Sequence, residues 1–137
     1  MSTDFHARYD AAKPSYIRVN DKQFADLPAG TTVLIPSPQD IESVANGLPQ
    51  GETMTLTQLR EALADMHDAD GTCPVMCGMN LRVAAEVNLD AIDCGMAQSD
   101  VVPVWKVIDP TSALASKLPG GPDRIRSLRY GGLRRGV

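Results

Sequence analysis

The sequence predicts a single α+β domain that is mostly helical. Its length of 137 residues fits one domain with one hydrophobic core. Apolar residues recur at helical spacing in three segments between residues 38 and 95, and a β-branched run follows at residues 101–108. Hydrophobic residues make up 43% of the chain and charged residues 22%, which excludes disorder as the main state.

Residues 1–36 are predicted to form an irregular N-terminal arm or a lead-in strand. Pro14, Pro28 and Gly30 interrupt this segment, and its apolar residues follow no clear period. The β-branched residues 31–35 predict a short extended segment that the next proline ends. We therefore expect the main domain to begin after this arm.

Three helices are predicted next. The first begins after Ser37, which can cap a helix whose first residue is Pro38. The second opens with a capping box formed by Thr55 and Gln58. The third begins near residues 72–74, and its apolar stripe is wider than that of a surface helix. This width predicts that the third helix is central to the core.

A β-like pair and a final helix are predicted after the third helix. The run at residues 101–108 predicts an edge strand, because Pro103 lies inside it. Residues 115–118 predict a second short strand, and residues 123–130 predict a short basic helix.

The predicted order of elements indicates the overall topology. Two helices joined by a tight turn and followed by a hairpin are the layout of a winged helix-turn-helix. Residues 37–132 are therefore predicted to form a winged helix-turn-helix-like domain. Residues 133–137 are predicted to be a basic tail.

Charge is distributed unevenly along the chain. Residues 1–100 hold six Lys and Arg against 15 Asp and Glu, whereas residues 101–137 hold seven against two. An acidic protein is a poor nucleic-acid binder, but a basic C-terminal segment leaves room for phosphate contacts. The alternative is that this segment is solvated or neutralises an acidic face of the same domain. The segment's arginines are Arg124, Arg126, Arg129, Arg134 and Arg135.

The cysteines are the first candidates for chemistry. Cys73 and Cys77 are four residues apart, which puts them on one face of a helix, with His67 and Cys94 nearby in sequence. Their spacing differs from that of zinc sites, which use closer pairs. Burial as small apolar residues is the favoured interpretation, and a metal site or a nucleophilic cysteine is the alternative. We expect no metal and no cofactor.

Cysteine content and hydropathy predict the compartment. No apolar run approaches the ~18 residues that span a bilayer, so no membrane association is expected. The first residues lack the basic and apolar regions of a secretory signal, and three cysteines in such a chain suggest reduced thiols. These observations predict a cytoplasmic protein.

Several segments of the chain resemble a known family, the alkylguanine-DNA alkyltransferases and the alkyltransferase-like proteins. The similarity is to the DNA-binding domain of that family and covers residues 38–132. The matching segments, in order, are residues 55–64, residues 73–87, the run Pro103-Val104-Trp105-Lys106-Val107-Ile108, and Gly120-Gly121 followed by Ile125 and Leu128.

The resemblance implies a winged helix-turn-helix that binds the minor groove of double-stranded DNA and flips a damaged base. Family enzymes transfer the alkyl group to the cysteine of a Pro-Cys-His-Arg-Val motif. Pro103 and Val107 match that motif here, but Val104 stands at the cysteine position, Trp105 at the histidine and Lys106 at the arginine. Valine has no lone pair that could accept an alkyl group, so we expect no alkyl transfer.

Two further positions depart from the family pattern. The resemblance implies an arginine finger at the start of the third helix, but residues 74–78 contain no arginine. Arg82 lies one turn further along. Tyr130 stands about where the family has a glutamate that supports the reactive cysteine. The sequence thus keeps the family's order of elements without its chemistry.

The leading hypothesis is a non-catalytic, alkyltransferase-like binding module associated with DNA in damage sensing or regulation. One alternative is a module that binds a protein partner or a small ligand, with a pocket beside Trp105 lined by Met76 and Met79. The other is a cysteine-dependent enzyme that uses Cys73 or Cys77. The residues expected to contact DNA or ligand are Arg82, Pro103, Trp105, Lys106, Arg124, Arg126 and Arg129.

Overall fold

The computed structural model describes residues 4–134. The described chain is α+β and mostly helical, which confirms the predicted class. Its helices are α1 (Phe5–Asp10), α2 (Pro38–Gly47), α3 (Leu56–His67), α4 (Pro74–Asp93), α5 (Ala113–Lys117) and α6 (Gly121–Arg134). Its strands are β1 (Tyr16–Val19), β2 (Thr32–Ile35) and β3 (Gly71–Thr72), and 3₁₀-helical turns cover Gln98–Asp100 and Val104–Val107.

The three strands form one small sheet in the order β1-β2-β3. β1 and β2 are antiparallel, with Tyr16 opposite Ile35. β2 and β3 are parallel, with Val33 opposite Gly71. The predicted extended segment at residues 31–35 is therefore confirmed as β2, the central strand.

The predicted helix starts are confirmed. The Ser37 hydroxyl accepts a hydrogen bond from the Asp40 backbone N–H at 3.1 Å, and Pro38 opens α2. Thr55 and Gln58 form a reciprocal capping box at the start of α3. Each cap satisfies backbone N–H groups that the first turn of a helix leaves without partners.

The main core lies between α4, the helices around it and one face of β2, as the apolar width of α4 predicts. Leu34 of β2 faces this core, whereas Val33 and Ile35 pack on the other face of the strand with Leu27 and Cys73. The buried residues of the main core include Ile41, Leu59, Leu63, Leu81, Leu89, Val104, Trp105, Ile108 and Ile125.

The prediction of two strands after the third helix is wrong. Residues 101–108 contain a 3₁₀-helical turn, in which Val104, Trp105 and Val107 are all buried. A strand would send neighbouring side chains to opposite faces, but this turn packs them into one core. Residues 115–118 belong to α5 and its end, where the Ser112 hydroxyl caps the helix at the Ala115 N–H. Within residues 4–134, no hairpin follows α4.

The N-terminal arm is more regular than predicted. It contains α1, which Asp4 caps by accepting a hydrogen bond from the Ala7 N–H, and it contributes β1 to the sheet. At the other end, α6 extends beyond the predicted helix and takes in the first two residues of the predicted tail. The other three residues of that tail, 135–137, lie outside the described residues.

No helix among residues 4–134 is long and apolar enough to cross a membrane.

Candidate functional site

Arg124, expected to contact phosphate, is paired within the domain. Its guanidinium donates to both carboxylate oxygens of Asp93, at 2.8 and 3.2 Å. It also donates to the Leu89 carbonyl near the end of α4, at 3.4 Å. A two-pronged contact of this kind uses the planar guanidinium fully. Arg124 therefore ties the start of α6 to the end of α4.

Lys106 and Arg129 contact backbone carbonyls instead of forming an open cationic surface. The Lys106 ammonium donates to the carbonyls of Leu48 at 3.0 Å and Pro49 at 3.4 Å, just after α2. Arg129 donates to the carbonyls of Trp105 at 2.8 Å and Lys106 at 3.3 Å. Both side chains hold the 3₁₀-helical turn against its neighbours.

The remaining candidates on the C-terminal side differ in exposure. Arg126 pairs with Asp123 at 3.0 Å, and its side chain is half-exposed. Pro103 is partly buried at the start of the 3₁₀-helical turn. Trp105, expected to stack on a base or rim a pocket, is only 5% exposed and belongs to the main core. Its ring is an anchor of the core, because the turn directs it inward.

Arg82, expected to face a DNA groove, lies beneath α1. Its guanidinium stands 5.0 Å from the centre of the Phe5 ring, in cation–π geometry. Its Nε atom is buried and has no hydrogen-bond partner among the described residues. Glu86 lies one turn further along α4, and burial raises the pKa of its carboxyl while the Arg82 charge opposes that rise.

The three cysteines differ in burial. Cys77 is fully buried, and burial raises the pKa of its thiol to about 12. Cys73 is also buried, whereas Cys94 is exposed. A thiol with a raised pKa stays protonated near neutral pH and is a poor nucleophile. Residues 4–134 contain no group of three His, Cys, Asp or Glu side chains arranged to hold a metal ion.

One concave surface of the described residues is a groove between the N-terminal segment, the sheet and α4. Its volume is about 400 Å³. Met76 and Met79 line it, as the pocket alternative expected, but Trp105 does not lie beside it. The other lining residues are Arg8, Ala11, Ala12, Lys13, Pro14, Tyr16, Ile35, Pro36, Pro38, Asn80 and Val83.

Secondary structure fixes the walls of this groove. The first turns of α4 supply Met76 and Met79, and the latter is 49% exposed. The Asn80 side-chain amide donates to the Pro36 carbonyl at 2.7 Å, which joins α4 to the end of β2. Tyr16 of β1 also lines the groove and is 51% exposed. The lining is mostly apolar and includes one aromatic ring and two thioethers.

Two cations stand at the groove. Arg8 and Lys13 line it, and both are exposed. Neither forms an ion pair within residues 4–134, and the described lining includes no Asp or Glu. This arrangement gives the groove a local positive charge on a chain whose net charge is −4.

Polar contacts hold the N-terminal segment in position. His6 lies 2.7 Å from Asp90 of α4. The Tyr9 hydroxyl donates to Glu42, and burial, together with that carboxylate, raises the pKa of Tyr9 to about 12. Ser15 donates to an Asp40 carboxylate oxygen that His67 also contacts, at 2.7 Å.

Sequence reasoning missed α1 and therefore missed the part of the groove that Arg8 lines. One signal in the sequence does indicate α1. Asp4 stands at a helix N-cap position, and Phe5 and Tyr9 are spaced four residues apart on one face. The contacts of Tyr9 and Ser15 join residues more than 20 positions apart, and no local pattern encodes such pairs.

A scan against protein-family models, a search of curated proteins and a search of solved structures each gave no match.

Proposed function

We propose that this chain is a non-catalytic ligand-binding module on an alkyltransferase-like scaffold, and that the groove is its binding site. The observation that carries the proposal is the groove itself, with a volume of about 400 Å³ between α1, the sheet and α4. Ligand sites are concave and mostly apolar, with a few polar groups that orient the ligand, and this groove fits that description.

Residues 103–108 resemble the family's reactive motif but contain no cysteine, which supports the non-catalytic part of the proposal. Val104, at the position of the family's reactive cysteine, is 1% exposed and carries no nucleophilic atom. Cys77 is buried with its pKa raised to about 12, so it would remain a thiol near neutral pH. Neither residue therefore supplies a nucleophile for a covalent step near neutral pH.

A neutral apolar dye tests the groove. We expect N-phenylnaphthylamine, which fluoresces in apolar surroundings, to bind the full chain saturably with one dye per protein. Met79→Glu puts a charge into the apolar wall and should weaken binding by about tenfold or more. Met66→Glu is the matched control, because Met66 is 47% exposed on α3 and does not line the groove.

Two results would contradict this function. One is the absence of saturable dye binding to the wild-type chain. The other is an equal loss of binding in the Met79 and Met66 variants, because a general surface effect would then explain it. Circular dichroism of both variants shows whether the helices are intact.

DNA association, in damage sensing or regulation, is the second candidate function. The observation that favours it is that α4 follows α3 after the short connection of residues 68–73. Asp68, the first residue of this connection, has a left-handed backbone conformation with φ +56°. Consecutive helices joined by a short connection are the core of a helix-turn-helix. The exposed side chains Val75 and Met79 at the start of α4 are apolar, which makes this the weaker candidate.

Fluorescence anisotropy with labelled duplexes, plain and carrying an alkylated guanine, tests DNA association at two salt concentrations. DNA binding requires salt-sensitive affinity. It also requires that Arg126→Ala reduce the salt slope by about one per lost phosphate contact. Arg126 suits this test because its side chain is half-exposed, whereas Arg124 and Lys106 have structural contacts. No binding at low salt would exclude DNA association.

A further inference from the structure

We infer that the ligand of the groove is a small amphipathic anion. Its apolar body lies between Tyr16 and Met79, and its acidic group lies at Arg8 and Lys13. This inference rests on the proposed function, because it names the chemical class of molecule that the same groove takes. The juxtaposition that carries it is a pair of unpaired cations beside an apolar groove that contains no carboxylate in its described lining.

Some cations elsewhere in the domain do form ion pairs, unlike the two at the groove. Arg60 pairs with Asp26 at 2.7 Å, and Arg124 pairs with Asp93 at 2.8 Å. Acidic residues outnumber basic residues by 15 to six in residues 1–100, yet the described lining of the groove includes no carboxylate. Two cations that lie together without a carboxylate partner therefore leave a local positive potential for a ligand to neutralise.

Helix electrostatics explain only one of the two cations. Arg8 lies in the last turn of α1, where a positive charge favourably meets the helix dipole. Lys13 lies beyond the end of α1 and its capping residue Ala11, so it has no such role. The shared location of Arg8 and Lys13 at the groove is the property that a bound anion would use.

The hydrogen-bonding chemistry of the groove also fits an anion with one acidic end. Guanidinium and ammonium groups only donate hydrogen bonds, and an ionised carboxylate only accepts them. A ligand with a carboxylate and an apolar chain would thus meet donors at one end and apolar side chains along its body.

The apolar side chains that line the groove require the rest of the ligand to be apolar. Tyr16 and Met79 are about half-exposed in the structure, so an occupant can cover apolar surface that water now contacts. Met side chains adapt to irregular shapes, which suits a flexible alkyl chain as well as an aromatic ring. The volume of about 400 Å³ lies at the lower end of the range typical of small-molecule pockets.

Three probes with the same eight-carbon alkyl chain test the proposal on the whole protein. Octanoate, octanol and octylammonium are each titrated against the bound neutral dye, at low salt. We expect octanoate to displace the dye at a concentration about tenfold lower than octanol, and octylammonium to be the weakest. Added salt should narrow the difference between octanoate and octanol, because the two cations are exposed and screening acts on them.

Charge-removing variants locate the acidic end. Arg8→Gln and Lys13→Gln should each weaken octanoate binding about two- to fivefold more than they weaken octanol binding, because an exposed ion pair contributes modestly. Lys117→Gln is the matched control, since Lys117 is an exposed cation on α5 that does not line the groove.

The outcomes separate this inference from the proposed function. Equal binding of octanoate and octanol, with no effect of the Arg8 and Lys13 variants, overturns the anionic class and leaves a groove for neutral ligands. An equal effect of Lys117→Gln also overturns it, because overall charge would then explain the preference. Failure of the dye and of all three probes to bind overturns both proposals.

Discussion

The guanidinium of Arg124 donates two hydrogen bonds to the carboxylate of Asp93, at 2.8 and 3.2 Å. The pair joins the first turn of α6 to the last residue of α4. A residue expected to meet phosphate thus neutralises a carboxylate of its own domain. For Arg124, this pair fits the alternative that a basic residue of the C-terminal segment neutralises an acidic residue of the same domain.

We expect Arg124→Ala to lower the free energy of unfolding by about 1 kcal/mol, since the two-pronged pair is lost but Asp93 is half-exposed to water. Arg126→Ala is the control, because its pair with Asp123 is more exposed, and it should change stability by less than about 0.5 kcal/mol. Urea denaturation of the three chains measures both values. Equal losses would show that the Asp93 contact contributes nothing specific.

Tyr9 predicts a change in stability at alkaline pH. Its pKa is raised from 10.0 to about 12, so the folded chain holds the phenolic proton more tightly than the unfolded chain does. The stability that this contributes is complete below pH 10 and is lost as the pH rises towards 12. Tyr9→Phe should remove the phenolate absorbance change near pH 12. If that change persists in the variant, Tyr9 does not titrate there.

The cysteines should differ sharply in reactivity. Near neutral pH, a thiol reagent should modify Cys94 quickly, because it is exposed. Cys73 and Cys77 should react only when the chain is unfolded, since both are buried and the pKa of Cys77 is raised to about 12. Cys94→Ser should abolish the fast phase. A fast phase that survives in this variant would restore the hypothesis of a reactive buried cysteine.

Asp70 predicts a loss of stability in acid. Its carboxylate accepts a hydrogen bond from the Thr32 N–H at 2.9 Å, and hydrogen bonds from Thr32 hold its pKa below 3.8. The stability contributed is complete above pH 3.8 and is lost as the pH falls through the lower folded value. Asp70→Asn should reduce this acid sensitivity, as measured by urea midpoints across that range.

The control for Asp70 is its neighbour Asp68. Asp68→Asn changes the same charge, and asparagine tolerates the left-handed backbone that Asp68 adopts at φ +56°. We expect its acid sensitivity to equal that of the wild-type chain. Equal effects of the two variants would assign the acid response to net charge instead of the contact with Thr32.

Local sequence signals predicted the elements that local interactions determine. Ser37 and the capping box of Thr55 and Gln58 mark helix starts, because their hydrogen bonds span only three residues. The apolar width of α4 predicted its central position. These signals act within one helix, so they can be read without knowledge of the fold.

Local sequence could not predict that the hairpin is absent or where the groove lies, because both depend on contacts between residues distant in sequence. The β-branched run at residues 101–108 has the composition of a strand, but Val104 and Trp105 are drawn into one core by the helices that surround them. The basic residues near the C-terminus looked available for phosphate because the sequence does not show that Asp93 faces Arg124. Likewise, the groove depends on α1, whose contacts with Glu42 and Asp90 are remote in sequence.

α1 has no fully buried side chain, so polar contacts and the Phe5–Arg82 pair hold it in place. Its detachment would remove Arg8 from the groove. If the groove binds a ligand as proposed, the ligand's affinity includes the cost of keeping α1 docked, and binding should slow backbone amide exchange in α1. Exchange protection of a six-residue helix thus serves as a reporter of whether the groove is filled.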